Sequence, residues 1–207
     1  MRPALIVIAK APAPGRSKTR LCPPLTAEDA ADLAAAALAD TLSAAGACRA
    51  RRHVLALDGE PGPWVPRGFE VIPQRGNGLA ERLASAFEDV GEPALLIGMD
   101  TPQITPALLA RGLRSLSRPR TDAVIGPALD GGYWAIGLRR PRRSLFEGVP
   151  MSSPATYAAQ MTALCAAKLR VRTLVSLRDV DVIDDARAVA ELAPRSRFAE
   201  ALGSLAA

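Results

Sequence analysis

Residues 4–9 read Ala-Leu-Ile-Val-Ile-Ala, and residues 10–21 read Lys-Ala-Pro-Ala-Pro-Gly-Arg-Ser-Lys-Thr-Arg-Leu. The first stretch is short and uniformly apolar, which is typical of a buried β-strand. The second stretch carries four cations, and the first acidic residue of the chain is Glu28, so these cations have no counter-charge nearby in the sequence. A basic, glycine-containing loop at the end of a first strand favours phosphate binding. This pattern therefore predicts a nucleotide-using enzyme.

Apolar runs alternate with helical patterns along the rest of the chain. The predicted strands are residues 4–9, 53–57, 69–72, 94–98, 122–126, 132–138 and 171–175. The predicted helices are residues 27–46, 79–90, 106–117, 153–168, 184–193 and 196–205. Thr26, Thr105 and Ser153 provide start signals for three of these helices. Such alternation predicts one α/β domain over residues 1–207, Rossmann-like, with a mainly parallel central sheet and helices on both faces.

The composition excludes several classes of protein. No run approaches 18 apolar residues, which argues against a membrane span. The apolar run after Arg2 is too short for a signal peptide. Cys22, Cys48 and Cys165 are widely spaced, which argues against a disulfide framework or a zinc site and fits a reduced cytoplasm. Aromatic residues make up 4% of the chain, which argues against a stacking platform for single-stranded nucleic acid. Together these features lead us to expect a cytoplasmic protein that binds neither membranes nor nucleic acids.

A second basic cluster, Arg139-Arg140-Pro141-Arg142-Arg143, adds to the net charge of +5. It is either a solvated turn or a contact surface for an anionic ligand, a nucleic acid or a partner. Both interpretations stay open at the level of sequence.

Acidic residues follow several of the predicted strands. These are Asp100, Asp130 in the segment Asp130-Gly131-Gly132-Tyr133, and the pair Asp179 and Asp181. Ligands of parallel sheets bind at the carboxyl ends of the strands, so we expect these side chains to meet the basic loop. Carboxylates beside substrate phosphates are the arrangement that binds Mg²⁺.

Some of these acids have alternative roles. Asp100 could cap the following helix, but Thr105 is better placed to do so. Asp130-Gly131 is a favoured hairpin turn, although consecutive glycines also let a ligand approach the backbone closely. Either Asp179 or Asp181 could complete a metal site with Asp100, or cap the next helix.

Other common motifs are absent. A Walker A loop would need glycines where the chain has Pro12 and Ser17, and no G-x-G-x-x-G follows the first strand. His53 is the only histidine, which argues against a hydrolase with a Ser-His-Asp triad. Asn77 and Arg82 flank the start of a predicted helix, where they could contact a phosphate or a base edge.

Taken in order, the motifs resemble those of bacterial glycosyltransferases of the GT-A fold, within the nucleotide-diphospho-sugar transferase superfamily. The resemblance covers about residues 4–193 and rests on residues 10–21, 98–102, 126–138, 150–152 and 178–181. The basic loop is also distantly similar to those of guanylyltransferases for molybdenum and deazaflavin cofactors. Two departures concern the segment Asn77-Gly78-Leu79-Ala80, where the family usually has Gly-Asp-Leu-Gly, and Val182, where it usually has threonine.

The resemblance implies a nucleotide held by the first loop and a divalent metal ion, Mg²⁺ or Mn²⁺. It assigns metal binding to Asp100 and Asp181, and contacts with the sugar or acceptor to Asp130, Gly131, Gly132 and Tyr133. The expected nucleotide- and phosphate-binding residues are Lys10, Gly15, Arg16, Lys18, Thr19, Arg20, Asn77 and Arg82. The expected catalytic residues are Asp100, Lys18 and Asp130.

The sequence is compatible with three functions. The leading one is metal-dependent glycosyl transfer from a nucleotide sugar to a small-molecule acceptor, in which the metal and the basic loop stabilise the departing diphosphate. The alternative is nucleotidyl transfer from an NTP to a phosphorylated small molecule with release of pyrophosphate. A minor alternative is a non-catalytic nucleotide- or nucleic-acid-binding protein, whose nucleic-acid binding would weaken steeply with salt.

Overall fold

The computed structural model describes residues 2–205. Its strands are Ala4–Lys10 (β1), His53–Asp58 (β2), Phe69–Pro73 (β3), Ala94–Ile97 (β4), Ala123–Pro127 (β5), Tyr133–Leu138 (β6) and Val171–Thr173 (β7). Its α-helices are Ala27–Gly46 (α1), Leu79–Val90 (α2), Pro106–Ser117 (α3), Thr156–Ala166 (α4), Ile183–Leu192 (α5) and Arg197–Leu205 (α6). All the predicted strands and helices are therefore present within the described residues.

The largest differences lie at α4 and β7. The helix predicted from residue 153 begins at Thr156, because the Thr156 hydroxyl accepts a hydrogen bond from the Ser153 amide at 3.1 Å and closes a turn there. The strand β7 ends at Thr173 rather than at residue 175, because the regular pairing with β5 stops at Ile125 and Thr173 and is followed only by an isolated bridge between Ala128 and Leu177.

The strands form one sheet in the order β3-β2-β1-β4-β6-β5-β7. Strand β6 runs antiparallel to β4 and β5, and every other neighbouring pair is parallel. The carboxyl ends of the six co-directional strands consequently meet at one edge of the sheet, here called the rim. Because a hairpin joins β5 to β6, the amino end of β6 also lies at the rim.

Helices cover both faces of the sheet, as predicted. Leu38 of α1 and Leu109 of α3 pack in the core on one face, whereas Phe87 of α2 and Leu164 of α4 pack on the other. A third apolar cluster joins α1 to α5 and α6, and it includes Leu21 at the end of the basic loop. This cluster anchors the loop to the body of the protein.

The arginine cluster at 139–143 lies where β6 ends, at the edge opposite the rim. Two of its members have structural partners. Arg139 donates to the carbonyls of Leu116 (2.8 Å) and Arg118 at the end of α3, and Arg143 forms an ion pair with Glu88 of α2. These contacts tie β6 to two helices, and the cluster is remote from the basic loop.

No helix among residues 2–205 is both long and apolar enough to cross a membrane. All three cysteines are free thiols.

Candidate active site

The basic loop folds on itself directly after β1. The amides of Arg16 and Ser17 donate to the Ala13 carbonyl at 3.1 Å, and the Ser17 hydroxyl accepts from the Ala13 amide at 3.1 Å. Gly15 adopts a φ of +71°, a conformation that glycine takes without strain. This turn leaves the backbone N–H groups of Gly15 and Lys18 without hydrogen-bond partners among residues 2–205. Unpaired amides in a turn of this kind can bind an anion.

Two of the four loop cations find carboxylates across the rim. Lys18 forms an ion pair with Asp100 and also donates to the Val180 carbonyl, and Arg20 pairs with Asp181. Counter-charge that is absent from the neighbouring sequence is therefore supplied by the fold. Lys10 and Arg16 are exposed and form no ion pair within the described part of the chain, so they remain available for phosphate.

The segment that joins β7 to α5, residues 174–182, crosses the rim and is here called the strap. Its Leu177 donates to the Pro127 carbonyl at 3.1 Å and accepts from the Leu129 amide at 3.0 Å. Farther along, the Val180 amide donates to the Asp100 carbonyl at 2.9 Å, and the Val180 side chain is 1% exposed. The strap thus connects the β5–β6 hairpin to the loop that carries Asp100.

Asp179 of the strap is the carboxylate that interacts with the other rim acids. Burial raises its pKa to about 6 from an ordinary value of 3.8, and the negative charges of Asp130 and Asp100 act in the same direction. Asp181 instead lies against Arg20, with 42% of its side chain exposed. The sequence makes both Asp179 and Asp181 candidates for metal binding, and the resemblance assigns this role to Asp181. The structure brings Asp179 into the group with Asp100 and Asp130.

The β5–β6 connection is a hairpin turn, one of the two interpretations of the Asp-Gly-Gly segment. Asp130 Oδ1 accepts from the Gly132 amide at 2.7 Å and closes the turn. Gly131 has a φ of +91°, and a Cβ atom there would lie 2.2 Å from the Pro154 carbonyl oxygen. The close approach that requires this glycine is therefore made by the segment before α4. Asp130 itself is exposed at the rim.

Tyr133, predicted to contact the substrate, packs against the core on the α2/α4 face. Its hydroxyl donates to Gln160 Oε1 at 3.2 Å, and burial raises its pKa above the usual range. This hydroxyl therefore contacts α4 in the protein interior.

The predicted contacts from α2 lie beside the ends of β2 and β3. Arg82 forms an ion pair with Asp58 at 2.8 Å, and Gln74 donates to the carbonyls of Ala9 (2.7 Å) and Ala56 (3.0 Å). Asn77 is exposed, and its backbone N–H donates to Glu81 Oε2 at 2.9 Å. Arg82 and Asn77 therefore lie at the rim, but the charge of Arg82 is already compensated.

The resemblance assigns a metal ion to Asp100, and the residues around this carboxylate can be compared with what such an ion requires. No three His, Cys, Asp or Glu side chains between residues 2 and 205 are grouped closely enough to hold a metal by themselves. The side chain of Asp100, however, is 51% exposed, and its carboxylate already forms an ion pair with the Lys18 ammonium. Carboxylate oxygens suit Mg²⁺ and Mn²⁺, and Mg²⁺ usually takes only one or two protein carboxylates together with water and substrate phosphates. The donor set at the rim fits such an ion.

Comparison with solved structures finds the same fold in other proteins. The structure matches a "putative nucleotide-diphospho-sugar transferase" from Desulfovibrio desulfuricans G20 with a TM-score of 0.88 and 25% identity, over 97% of this chain and 94% of that one. It matches CMP:2-keto-3-deoxy-manno-octonic acid synthetase complexed with CTP with a TM-score of 0.59 and 13% identity, over 94% and 99% of the two chains.

A further match is Rv0371c from Mycobacterium tuberculosis H37Rv, crystallised with manganese, with a TM-score of 0.53 and 22% identity over 92% of this chain and 98% of that one. At identities of 13% and 22%, the last two matches show a shared fold. No curated protein matches the sequence.

The sequence also matches a protein-family model over residues 26–153, which is more than half of the chain. The family is described as an uncharacterized protein conserved in bacteria, DUF2064. The matched region carries Asp100, the β5–β6 hairpin and most of the sheet, and on this match the chain belongs to the DUF2064 family.

Proposed function

We propose that this protein is a metal-dependent transferase that uses a nucleotide-activated donor, with glycosyl transfer from a nucleotide sugar as its leading reaction. The observation that carries the proposal is the juxtaposition, at the rim, of the cationic loop with Asp100. Positive charge to bind phosphates and a carboxylate to bind a metal are the two parts that a diphosphate leaving group requires. The 25% identity to the protein described as a "putative nucleotide-diphospho-sugar transferase", over nearly the whole chain, supports the glycosyl reaction.

In this proposal the phosphates are bound by Lys10, Arg16 and the free amides of Gly15 and Lys18, with Thr19 and Arg20 beside them. Asp100 holds the metal ion, and Asp179 or Asp181 supplies a second carboxylate. Asp179 is favoured because the strap brings it into electrostatic contact with Asp100. When bound, Mg²⁺ or Mn²⁺ would supply positive charge that stabilises the departing diphosphate.

The acceptor would bind beside the β5–β6 hairpin. Asp130 keeps its Oδ2 atom free of hydrogen bonds within the described structure, so it can accept a hydrogen bond from a sugar or acceptor hydroxyl. The acceptor oxygen forms a bond to the anomeric carbon while the bond from that carbon to the diphosphate oxygen breaks. The hydroxyl proton leaves with the help of a rim carboxylate, and the cations of the loop neutralise the diphosphate.

Nucleotidyl transfer is retained as a second candidate because of one feature, the density of charge on the loop. Four cations within eleven residues match the charge of a triphosphate better than that of a diphosphate. In that reaction a substrate phosphate would attack the α-phosphorus of an NTP, and pyrophosphate would leave.

Product analysis separates the two reactions. The protein would be incubated with nucleotide sugars or NTPs, with Mg²⁺ or Mn²⁺ and with pools of hydroxyl-bearing or phosphorylated small molecules. Release of a nucleoside diphosphate from a nucleotide sugar supports glycosyl transfer. Release of pyrophosphate from an NTP supports nucleotidyl transfer.

We expect Asp100→Asn to lower the turnover by about 100-fold or more, the scale seen when one transition-state charge contact is removed. The matched control is Glu191→Gln on the exposed side of α5, which has no ion pair in the described structure and should retain full activity. Unchanged turnover in Asp100→Asn would contradict the proposed role of Asp100.

A further inference from the structure

The ion pair between Lys18 and Asp100 is built into the fold. The Lys18 side chain is only 9% exposed, and its ammonium group contacts both the Asp100 carboxylate and the Val180 carbonyl. Lys18 adopts a φ of +50°, an uncommon conformation for a residue other than glycine. The buried side chains of Leu21 and Val180 hold the loop and the strap on either side of it. Lys18 is thus positioned by both of the segments that meet at the rim.

The neighbouring pair between Arg20 and Asp181 is different. Its side chains are 67% and 42% exposed, and exposed pairs of this kind are weak and readily exchanged. Of the two ion pairs that link the basic loop to the rim acids, only the one at Asp100 places its cation in a nearly buried position.

The same carboxylate is the proposed metal ligand, so two cations compete for it. The ammonium lies against Oδ1 of Asp100 and repels a second cation at the same carboxylate. A divalent ion therefore binds there more strongly once the ammonium has moved to another anion. The phosphates of a bound donor would provide that anion next to the loop. Binding of the donor phosphates would therefore favour binding of the divalent ion, and binding of the ion would favour binding of the phosphates, so the two binding events are coupled.

We propose that Lys18 is a tethered cation that keeps the divalent metal off Asp100 in the free protein, and that donor phosphates release it. Metal and donor then bind cooperatively, and the free protein holds the metal poorly. This inference rests on the proposed function for the identity of its ligands, but its tests need no turnover.

The first test measures Mn²⁺ binding without any nucleotide, from the electron paramagnetic resonance signal of the free ion. We expect Lys18→Met to bind Mn²⁺ about tenfold more tightly than the wild type, within the range typical of coupled sites. Arg20→Met, which removes the same charge from the same loop, should change the affinity by less than about twofold, as expected for an exposed pair. The gain should vanish when Lys18→Met is combined with Asp100→Asn. Equal affinities of wild type and Lys18→Met, or a gain that survives in the double variant, would overturn the inference.

The second test measures the other direction of the coupling, using inorganic pyrophosphate with all metal removed by a chelator. Asp100→Asn frees the ammonium of Lys18, so this variant should bind pyrophosphate about fivefold more tightly, again on the scale of coupled sites. Asp179→Asn removes one carboxylate charge close by without breaking the ion pair, and it should produce a clearly smaller gain. If both variants bind pyrophosphate with the same affinity, Lys18 is not masked by Asp100.

Thermal melting of each variant checks that it is folded. If Lys18→Met does not fold, Lys18→Gly replaces it, because glycine accepts the left-handed backbone conformation and also lacks the ammonium. The outcomes separate the two proposals. Turnover without any effect of Lys18 on Mn²⁺ binding refutes only the tethered cation, whereas a gain in Mn²⁺ affinity without turnover on any donor refutes only the proposed reaction.

Discussion

Asp179 experiences burial and two neighbouring negative charges, and all three raise its pKa, to about 6. In the unfolded chain the same carboxyl titrates near its ordinary value of 3.8. The folded protein therefore binds this proton more tightly than the unfolded chain does. The favourable contribution is fully present below about pH 4, and it is lost as the pH rises through about 6.

Replacing Asp179 with asparagine removes this pH dependence. We expect the melting temperature of Asp179→Asn, relative to the wild type, to increase between pH 4 and pH 7 in metal-free buffer, since only the wild type then acquires a poorly solvated charge. Glu191→Gln serves as the control and should show a difference that does not change with pH. A difference for Asp179→Asn that is constant, or that falls as the pH rises, would show that Asp179 is not perturbed in this way.

The choice between Asp179 and Asp181 also shows where sequence reasoning stops at the scale of residues. Both acids follow β7, and both are typical of metal ligands. In the folded chain Asp179 interacts with Asp130 and Asp100, whereas Asp181 pairs with Arg20. That information is tertiary, so the sequence could only offer the pair. The same holds for Lys18 and Arg20, whose partners are more than 80 positions away along the chain.

At the scale of elements, the bounds of α1, α2 and α3 could be predicted because their signals are local. Thr26 and Thr105 accept hydrogen bonds from the amides of Asp29 and Leu108, which fixes where α1 and α3 begin. At α4 the local signal at Ser153 was misleading, because the turn that forms there precedes the helix. The Asp-Gly signal at residues 130–131 correctly indicated a hairpin.

The hairpin gives a prediction at this scale. Gly131→Ala would place a Cβ atom 2.2 Å from the Pro154 carbonyl, at a φ of +91° that alanine disfavours. We expect a loss of about 1–3 kcal/mol in the free energy of unfolding, from overpacking and backbone strain. Denaturant unfolding measures this change.

Gly203→Ala is the matched control, because it lies in α6 with open space around its Cβ position. Alanine favours the helix, so this variant should be neutral or more stable by up to about 1 kcal/mol. If Gly131→Ala is as stable as the wild type, the hairpin does not pack on the Pro154 segment as described.

At the scale of the whole molecule, the two basic clusters lie at opposite edges of the sheet and have different partners. The cluster at 139–143 lies at the edge opposite the rim and ties β6 to neighbouring helices through Arg139 and Arg143. The loop at 10–20 meets the carboxylates of the rim. A net charge of +5 therefore says less about function than the distribution of that charge over the sheet edges.

The α/β class and the two helical layers could be predicted from the alternation of strands and helices alone. The meeting of the basic loop with the acidic residues at the rim could be predicted from the rule that ligands bind at the carboxyl ends of strands. The base, the sugar and the acceptor of the proposed reaction could not be predicted in this way. Their recognition depends on side chains from several loops whose relative positions only the folded chain defines.

The most direct test of the central claim, that the rim binds the phosphates of a nucleotide donor together with a metal, is a thermal-shift panel. Nucleoside triphosphates and nucleotide sugars would be compared, each with and without Mg²⁺ or Mn²⁺. A ligand that binds only the folded state stabilises it by about 2.7 kcal/mol at 100 times its Kd. We predict a metal-dependent rise in melting temperature with at least one of these ligands, and its loss when Lys10 and Arg16 are both replaced by methionine. No shift with any ligand, or the same shift in the loop variant, would contradict the account.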